Sequence, residues 1–194
     1  MSRILVSVDP GKHGAISFFQ DGILDHVVDM PLIKTETKKA VTIFKHKDPK
    51  ILIRSGERKG QRQTVIKTPA KHKTEIDFKA IEREIKEFQN TSWIDKSTQK
   101  DESIMVFEEQ FMLLGQGHSK SIFLNLGKII GIGMVLCREV KEVRAIVWKK
   151  HYNLIKKEKS DSIKIAKKLF DGWAFDSHDQ AESALIGKYY LDMQ

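Results

Sequence analysis

The sequence predicts an α/β domain built on a mixed five-stranded sheet, and three observations carry that expectation. Three short strands joined by tight Gly-containing turns open the chain. Two later apolar strands alternate with helical stretches, the pattern of a layered α/β architecture. A length of 194 residues suits one domain with an inserted arm and is enough to bury a sizeable core.

Residues 3–9 (RILVSVD) alternate, with Ile4, Val6 and Val8 on one face and Leu5, Ser7 and Asp9 on the other, which is a strand of period two. The turn Pro10-Gly11-Lys12-His13-Gly14 leads to a second strand, Ala15–Phe19. Gln20-Asp21-Gly22 then turns into a third, Ile23–Met30. Such turns predict an antiparallel meander. In the basic stretch that follows, the apolar pieces Val41–Phe44 and Ile51–Ile53 suggest a hairpin arm, with a loop at Ser55–Gly60. Asp77–Phe88 is an amphipathic helix with Phe78, Ile81, Ile85 and Phe88 on one stripe. A fourth strand spans Ile104–Glu108. A long helix from about Ser119 to Val140 carries Gly127, Gly131 and Gly133, which suggest close backbone packing. A fifth strand is expected over Val143–Val147, then helices from about Ser160 to Phe170 and His178 to Leu191.

The net charge is +8, but it is unevenly spread. Between Lys34 and Lys73 there are 13 Lys and Arg against 3 Asp and Glu, a balance of +10, so the remainder sums to −2. A near-neutral body with one basic segment is the pattern of a nucleic-acid contact surface; a solvated loop is the plain alternative. No apolar run reaches the roughly 18 residues of a membrane span, and the N-terminus lacks the apolar stretch and cleavage site of a signal peptide. The single cysteine, Cys137, cannot form an internal disulfide and reads as a buried thiol. A reducing, cytoplasm-like compartment is the matching expectation.

Chemistry is expected from four acids. Asp9 ends the first strand before Pro10-Gly11, and Glu108 ends the fourth with Glu109 beside it. Asp179 and Glu182 are three apart at the start of the last helix and so share a face. Ser177 is their candidate N-cap, with Gln180 in capping-box position. If the first and fourth strands are neighbours, Asp9 and Glu108 meet at one rim. Carboxylates clustered in this way are natural ligands for the hard divalent cations of phosphodiester hydrolysis. Each acid alone has a simpler reading as a turn residue, a solvated strand end or a complement to the helix dipole.

Four segments then resemble one family. ILVSVDPGKHGAISFF is similar to the opening of the RuvC-type Holliday junction resolvases, and IMVFEEQFMLLGQGHSKSIFLNLG to the central motif of their phage-type members. VWKKHYNL resembles the family's Trp-Lys segment, and SHDQAESALIGKYY its terminal acidic helix. The resemblance covers residues 3–30 and 103–191; the segment from about 34 to 75 has no counterpart. It implies an RNase H-like fold over residues 1–194 and a homodimeric endonuclease that nicks paired strands of branched DNA. Mg²⁺ or Mn²⁺, two ions per site, would be the cofactor.

Position by position, the resemblance makes Asp9, Glu108, Asp179 and Glu182 the metal-binding acids, although an alignment on Glu-Gln selects Glu109 instead of Glu108. It places Lys149 and Lys159 near the scissile phosphate. His178, beside Asp179, is a candidate ligand or proton carrier and otherwise a surface residue. Phe111 stacks on junction bases or belongs to the core, and Trp148 reads as core or interface. Gln116 and Lys120 are candidate DNA contacts, and the Gly115-Gln116-Gly117 loop, followed by His118 and Ser119, has backbone donors suited to a phosphate. Arg54, Arg58, Lys59 and Arg62 are the candidate DNA contacts of the basic arm. The glycine-bearing helix 119–140 is the expected dimer interface. Two rivals stand beside this reading: an RNase H-like nuclease acting on flaps or RNA–DNA hybrids, and a non-catalytic branched-DNA-binding protein.

Overall fold

The computed structural model describes residues 4–38, 41–45, 64–68, 71–92, 100, 102–110 and 119–194. Its contacts divide the chain into two units, Met1–Leu32 with Ile76–Gln194, and Ile33–Glu75.

The larger unit is an RNase H-like α/β fold. Strands β1 (Ile4–Val8), β2 (Ala15–Gln20), β3 (Ile23–Asp29), β8 (Ser103–Glu108) and β9 (Glu139–Val143) form one sheet in the order β3-β2-β1-β8-β9. β1 to β3 are antiparallel, whereas β8 runs parallel to β1 and β9 parallel to β8. Every residue of β1 is buried, as a central strand covered on both faces requires.

Strand alternation splits the core in two. Ile4, Val6 and Val8 face α1 (Phe78–Thr91) and α2 (Ser119–Leu136), meeting Ile81, Ile85, Phe88 and Ile129. Leu5, Ile104 and Val106 face the other side, with α3 (Ala145–His151), α4 (Lys159–Leu169) and α5 (His178–Asp192), where Trp148, Ala166, Ala184 and Leu185 are buried. Asp77 caps α1, its carboxylate accepting from the N–H groups of Lys79 and Ala80 at 3.1 Å. The Phe78, Ile81, Ile85, Phe88 stripe turns to this core, with Phe78 half-covered.

α5 lies close against the sheet because its inner face is small. A methyl group on Gly187 would stand 2.4 Å from Phe19 Cε2 and 2.9 Å from Ser7 Cβ. The buried hydroxyls beneath it are all satisfied: Ser7 donates to the Ser183 carbonyl at 2.7 Å, and Ser17 and Ser183 share a 2.6 Å bond.

Three expectations need correction. The long helix stops at Leu136 rather than near 140, because Arg138 N–H already bonds the Ser103 carbonyl and sets the register Ile104↔Glu139. The fifth strand is therefore 139–143, and most of the expected strand 143–147 is the start of α3, with Arg144 at its N-cap. A short β-branched run fits either state by pattern alone. The true strand is disguised by charge: β9 is an edge strand bearing Glu139, Lys141 and Glu142. Among the described residues, Gly133 is the one glycine of this helix that is closely approached, since a Cβ there would meet Met105 Sδ at 2.6 Å; Gly127 and Gly131 meet none of them within 4 Å. Cys137 is buried, and burial pushes its thiol up to about 12, so it is inert as a nucleophile.

In the smaller unit, β4 (Leu32–Lys38) pairs with β7 (Lys71–Ile76), and β5 (Val41–Lys45) pairs antiparallel with β6 (Thr64–Thr68). The apolar piece 51–53 lies outside the described residues.

Candidate active site

Parallel pairing of β1 with β8 aligns Val8 with Phe107, which brings the next residues, Asp9 and Glu108, to the same carboxyl rim of the sheet. In open α/β sheets this rim is where ligands bind. Asp9 is fixed by a turn that accepts only glycine at its far end: a Cβ on Gly14 would lie 2.0 Å from the Asp9 carbonyl oxygen. Asp9 N–H bonds the Ala15 carbonyl at 3.0 Å, and the Gly11 N–H donates to the Asp9 carboxylate.

α5 brings the second pair of acids. Ser177 accepts from the Gln180 N–H at 3.1 Å and starts the helix. The Gln180 side chain does not close the expected capping box. Its oxygen takes the Asp176 N–H at 3.0 Å, and its amide donates to Asp29 at the end of β3 at 2.9 Å. The first turn of α5 is thus tied to the sheet.

The four acids interact electrostatically. Burial first, then Glu108, Glu182 and Asp179, push the Asp9 carboxyl up to about 7. Burial also raises Glu108, opposed by Lys149 and by the indole of Trp148. Lys149 Nζ lies 3.3 Å from Glu182 and 3.9 Å from Glu108, and 4.9 Å from the centre of the Trp148 ring. Trp148, fully buried, donates its Nε1–H to Glu108 Oε2 at 2.8 Å. Ser162 donates to Glu182 Oε1 at 3.0 Å. Glu109 faces away from this group: its Oε2 is buried without a hydrogen bond, with Arg144 Nε at 3.6 Å.

Lys159 and His178 meet beside the acids. His178 Nε2 is 2.9 Å from Lys159 Nζ and 3.1 Å from Asp179 Oδ1. With the proton on Nδ1, that nitrogen accepts from the lysine ammonium; with the proton on Nε2, it donates to the Asp179 carboxylate. A cavity of about 600 Å³ opens here, its walls including Lys149, Lys159, His178, Asp179 and Glu182.

The structure thus brings together Asp9, Glu108, Asp179, Glu182, Lys149, Lys159 and His178. Phe111, Gln116, Arg54, Arg58, Lys59 and Arg62 lie outside the described residues, as does the side chain of Lys120. Trp148, Ser162 and the Gln180–Asp29 link were not expected at the site. A buried indole N–H must find an acceptor, so Trp148 ahead of Lys149 was the available signal; Ser162 carried none.

Among the described residues, no three acids, imidazoles or thiolates already converge as a formed set of metal ligands. The donor chemistry nonetheless fits a divalent cation. All four acids offer hard oxygens, and Asp9 is raised by burial and then by three like-charged neighbours, a situation that a cation would relieve.

Comparison with known proteins supports the fold. A Thermus thermophilus RuvC structure aligns over 98% of this chain and 96% of its own, with a TM-score of 0.50 and 10% identity. The fold is RuvC-like. A second structure, T. thermophilus RuvC in complex with Holliday junction substrate, has a TM-score of 0.49 and 9% identity over the same shares. No family model and no curated protein matches the chain.

Proposed function

We propose that this protein is a structure-selective endonuclease that hydrolyses phosphodiester bonds of branched DNA, four-way junctions foremost. The observation that carries the proposal is the meeting of Asp9, Glu108, Asp179 and Glu182 at one sheet rim, where burial first and then the three other carboxylates raise Asp9. Their location on a RuvC-like fold favours DNA over other phosphodiesters.

Asp9, Glu108, Asp179 and Glu182 would hold Mg²⁺ or Mn²⁺, two ions in this reading. Bound divalent cations supply Lewis acidity toward the attacking water and the leaving oxygen. The chain's own groups prepare that chemistry. Trp148 orients Glu108 through a charge-assisted hydrogen bond, and Ser162 does the same for Glu182. Lys149, held between two carboxylates, is placed to neutralise charge developing on a phosphate. Lys159 and His178 add a second donor group at the cavity wall.

We read residues 1–194 as one nuclease domain with a basic insertion from about 34 to 75 that grips DNA. The protein would act as a homodimer, because two sites related by a two-fold axis match two symmetric strands.

The test compares wild type with D9N on a labelled four-way junction, a flap, an RNA–DNA hybrid and a linear duplex, with and without Mg²⁺. Paired, metal-dependent cuts confined to the junction and lost in D9N support the proposal. Preferential cutting of flaps or hybrids moves the substrate class, and binding without cutting in Mg²⁺ or Mn²⁺ leaves a binding protein.

A further inference from the structure

The cavity beside the acids has a second wall that the proposed chemistry does not use. It is built by Leu154 to Glu158 of the loop between α3 and α4, together with Ile146 of α3. The loop is a constructed feature. Leu154 is buried beneath it and its N–H bonds the Lys149 carbonyl at 2.7 Å, Asn153 N–H bonds the Lys150 carbonyl at 3.1 Å, and Lys157 N–H bonds the Leu154 carbonyl at 3.1 Å. Two of its residues are left-handed, Asn153 at φ 56° and Lys156 at φ 58°. Asparagine tolerates that conformation, but lysine adopts it only when its surroundings impose it. Such an outlier beside a reactive centre points to a role for what it presents.

It presents two kinds of surface to the cavity. Lys156 and Lys157 are exposed cations, and Ile146 and Ile155 are exposed apolar side chains, 49% and 39% accessible. Glu158 lines the same wall, but its carboxylate accepts from the Asp161 N–H in capping α4. The two lysines beside apolar faces match a nucleotide: a phosphate for the lysines and a sugar or base for the isoleucines. A plain solvated lysine run would need neither the strained backbone nor the apolar pair.

We infer that this wall is a subsite for the nucleotide flanking the scissile phosphate, with its non-reacting phosphate on Lys156 and Lys157 and its sugar or base against Ile146 and Ile155. The inference rests on the nuclease reading for its register relative to the cut, but its binding chemistry stands separately. Lys156 and Lys157 are positioning residues that act on affinity and placement.

The experiment is a double-mutant cycle on binding. Affinity of wild type and K156A/K157A is measured by fluorescence anisotropy, with Ca²⁺ in place of Mg²⁺. The DNA is a set of four-way junctions, each carrying one uncharged methylphosphonate linkage, moved position by position along a strand. K167A/K168A, which removes the same charge from exposed positions on α4, is the control. The expected result is about a tenfold loss of affinity for K156A/K157A and a shallower salt dependence. That loss disappears at one linkage position, and the control shows no such position. Losses that add at every position, or a control that behaves identically, overturn the subsite. Wild-type cutting of the unmodified junction in Mg²⁺ is scored separately, so absent cutting sinks the nuclease reading and absent coupling sinks the subsite.

Discussion

Trp148 donates its indole N–H to the Glu108 carboxylate at 2.8 Å, joining the middle of α3 to the end of β8 across 40 residues. The ring is fully buried while the carboxylate reaches the rim, so one side chain both fills the core and aims an acid. Lys149, the next residue, then falls between Glu108 and Glu182.

Replacing Trp148 with Phe keeps most of the apolar bulk and removes the donor. W148F is expected to lose about 10- to 100-fold in metal affinity or cleavage rate, the usual scale for an outer-shell partner. Its stability should fall by about 1–3 kcal/mol. Calorimetric Mg²⁺ titration and thermal melts read the two effects. An unchanged metal affinity would mean that Glu108 needs no such orientation.

Asp9 links stability to pH. Burial, then the neighbouring carboxylates, push its carboxyl up to about 7 in the folded chain, against an ordinary 3.8. Below about pH 4 it is protonated in both states and contributes nothing to the difference. As pH rises toward 7 the unfolded chain has released its proton and the folded one has not, so stability falls across that window and then levels off. D9N should remove this loss and melt higher than wild type at pH 8 without metal, by about 1–3 kcal/mol. Equal melting at pH 8 would contradict the burial and crowding of Asp9.

Proton and metal then compete for the same group. Mg²⁺ affinity should rise about tenfold between pH 6 and pH 8 as Asp9 ionises, with proton release on binding at the lower pH. Calorimetry in two buffers of different ionisation enthalpy measures the release. D9N should show neither the trend nor the released proton.

The glycines give a contrast in stability. G187A would push a methyl into Phe19 and Ser7 and should cost about 1–3 kcal/mol. Because α5 carries Asp179 and Glu182, it should also weaken metal binding. G127A, where a methyl meets none of the described residues within 4 Å, should be neutral or gain up to about 1 kcal/mol. Denaturant melts of the two variants decide between them.

Much of this was legible in the sequence, for identifiable reasons. The meander was readable because Gly14 and the Asp21-Gly22 turn punctuate strands of clear alternation. The acids were readable as an ordered set, since Asp9 and Glu108 end strands that were expected to be neighbours. What stayed hidden depends on partners distant in the chain. β9 was missed because an edge strand tolerates Glu139, Lys141 and Glu142, while the apolar run after it belongs to a helix. Which of Glu108 and Glu109 turns toward the other acids depends on the indole of Trp148 on one side and Arg144 on the other. Ser162 and Asp29 had no local signature, because each matters only through a bond to α5.

The central claim is that four acids at one sheet rim cut branched DNA. The most direct measurement follows a labelled four-way junction with wild type and D9N, with and without Mg²⁺, beside a matched linear duplex. The account predicts paired symmetric nicks in the junction alone, dependent on Mg²⁺ and lost in D9N while binding persists. A junction that is bound by wild type yet stays intact in both Mg²⁺ and Mn²⁺ would contradict it.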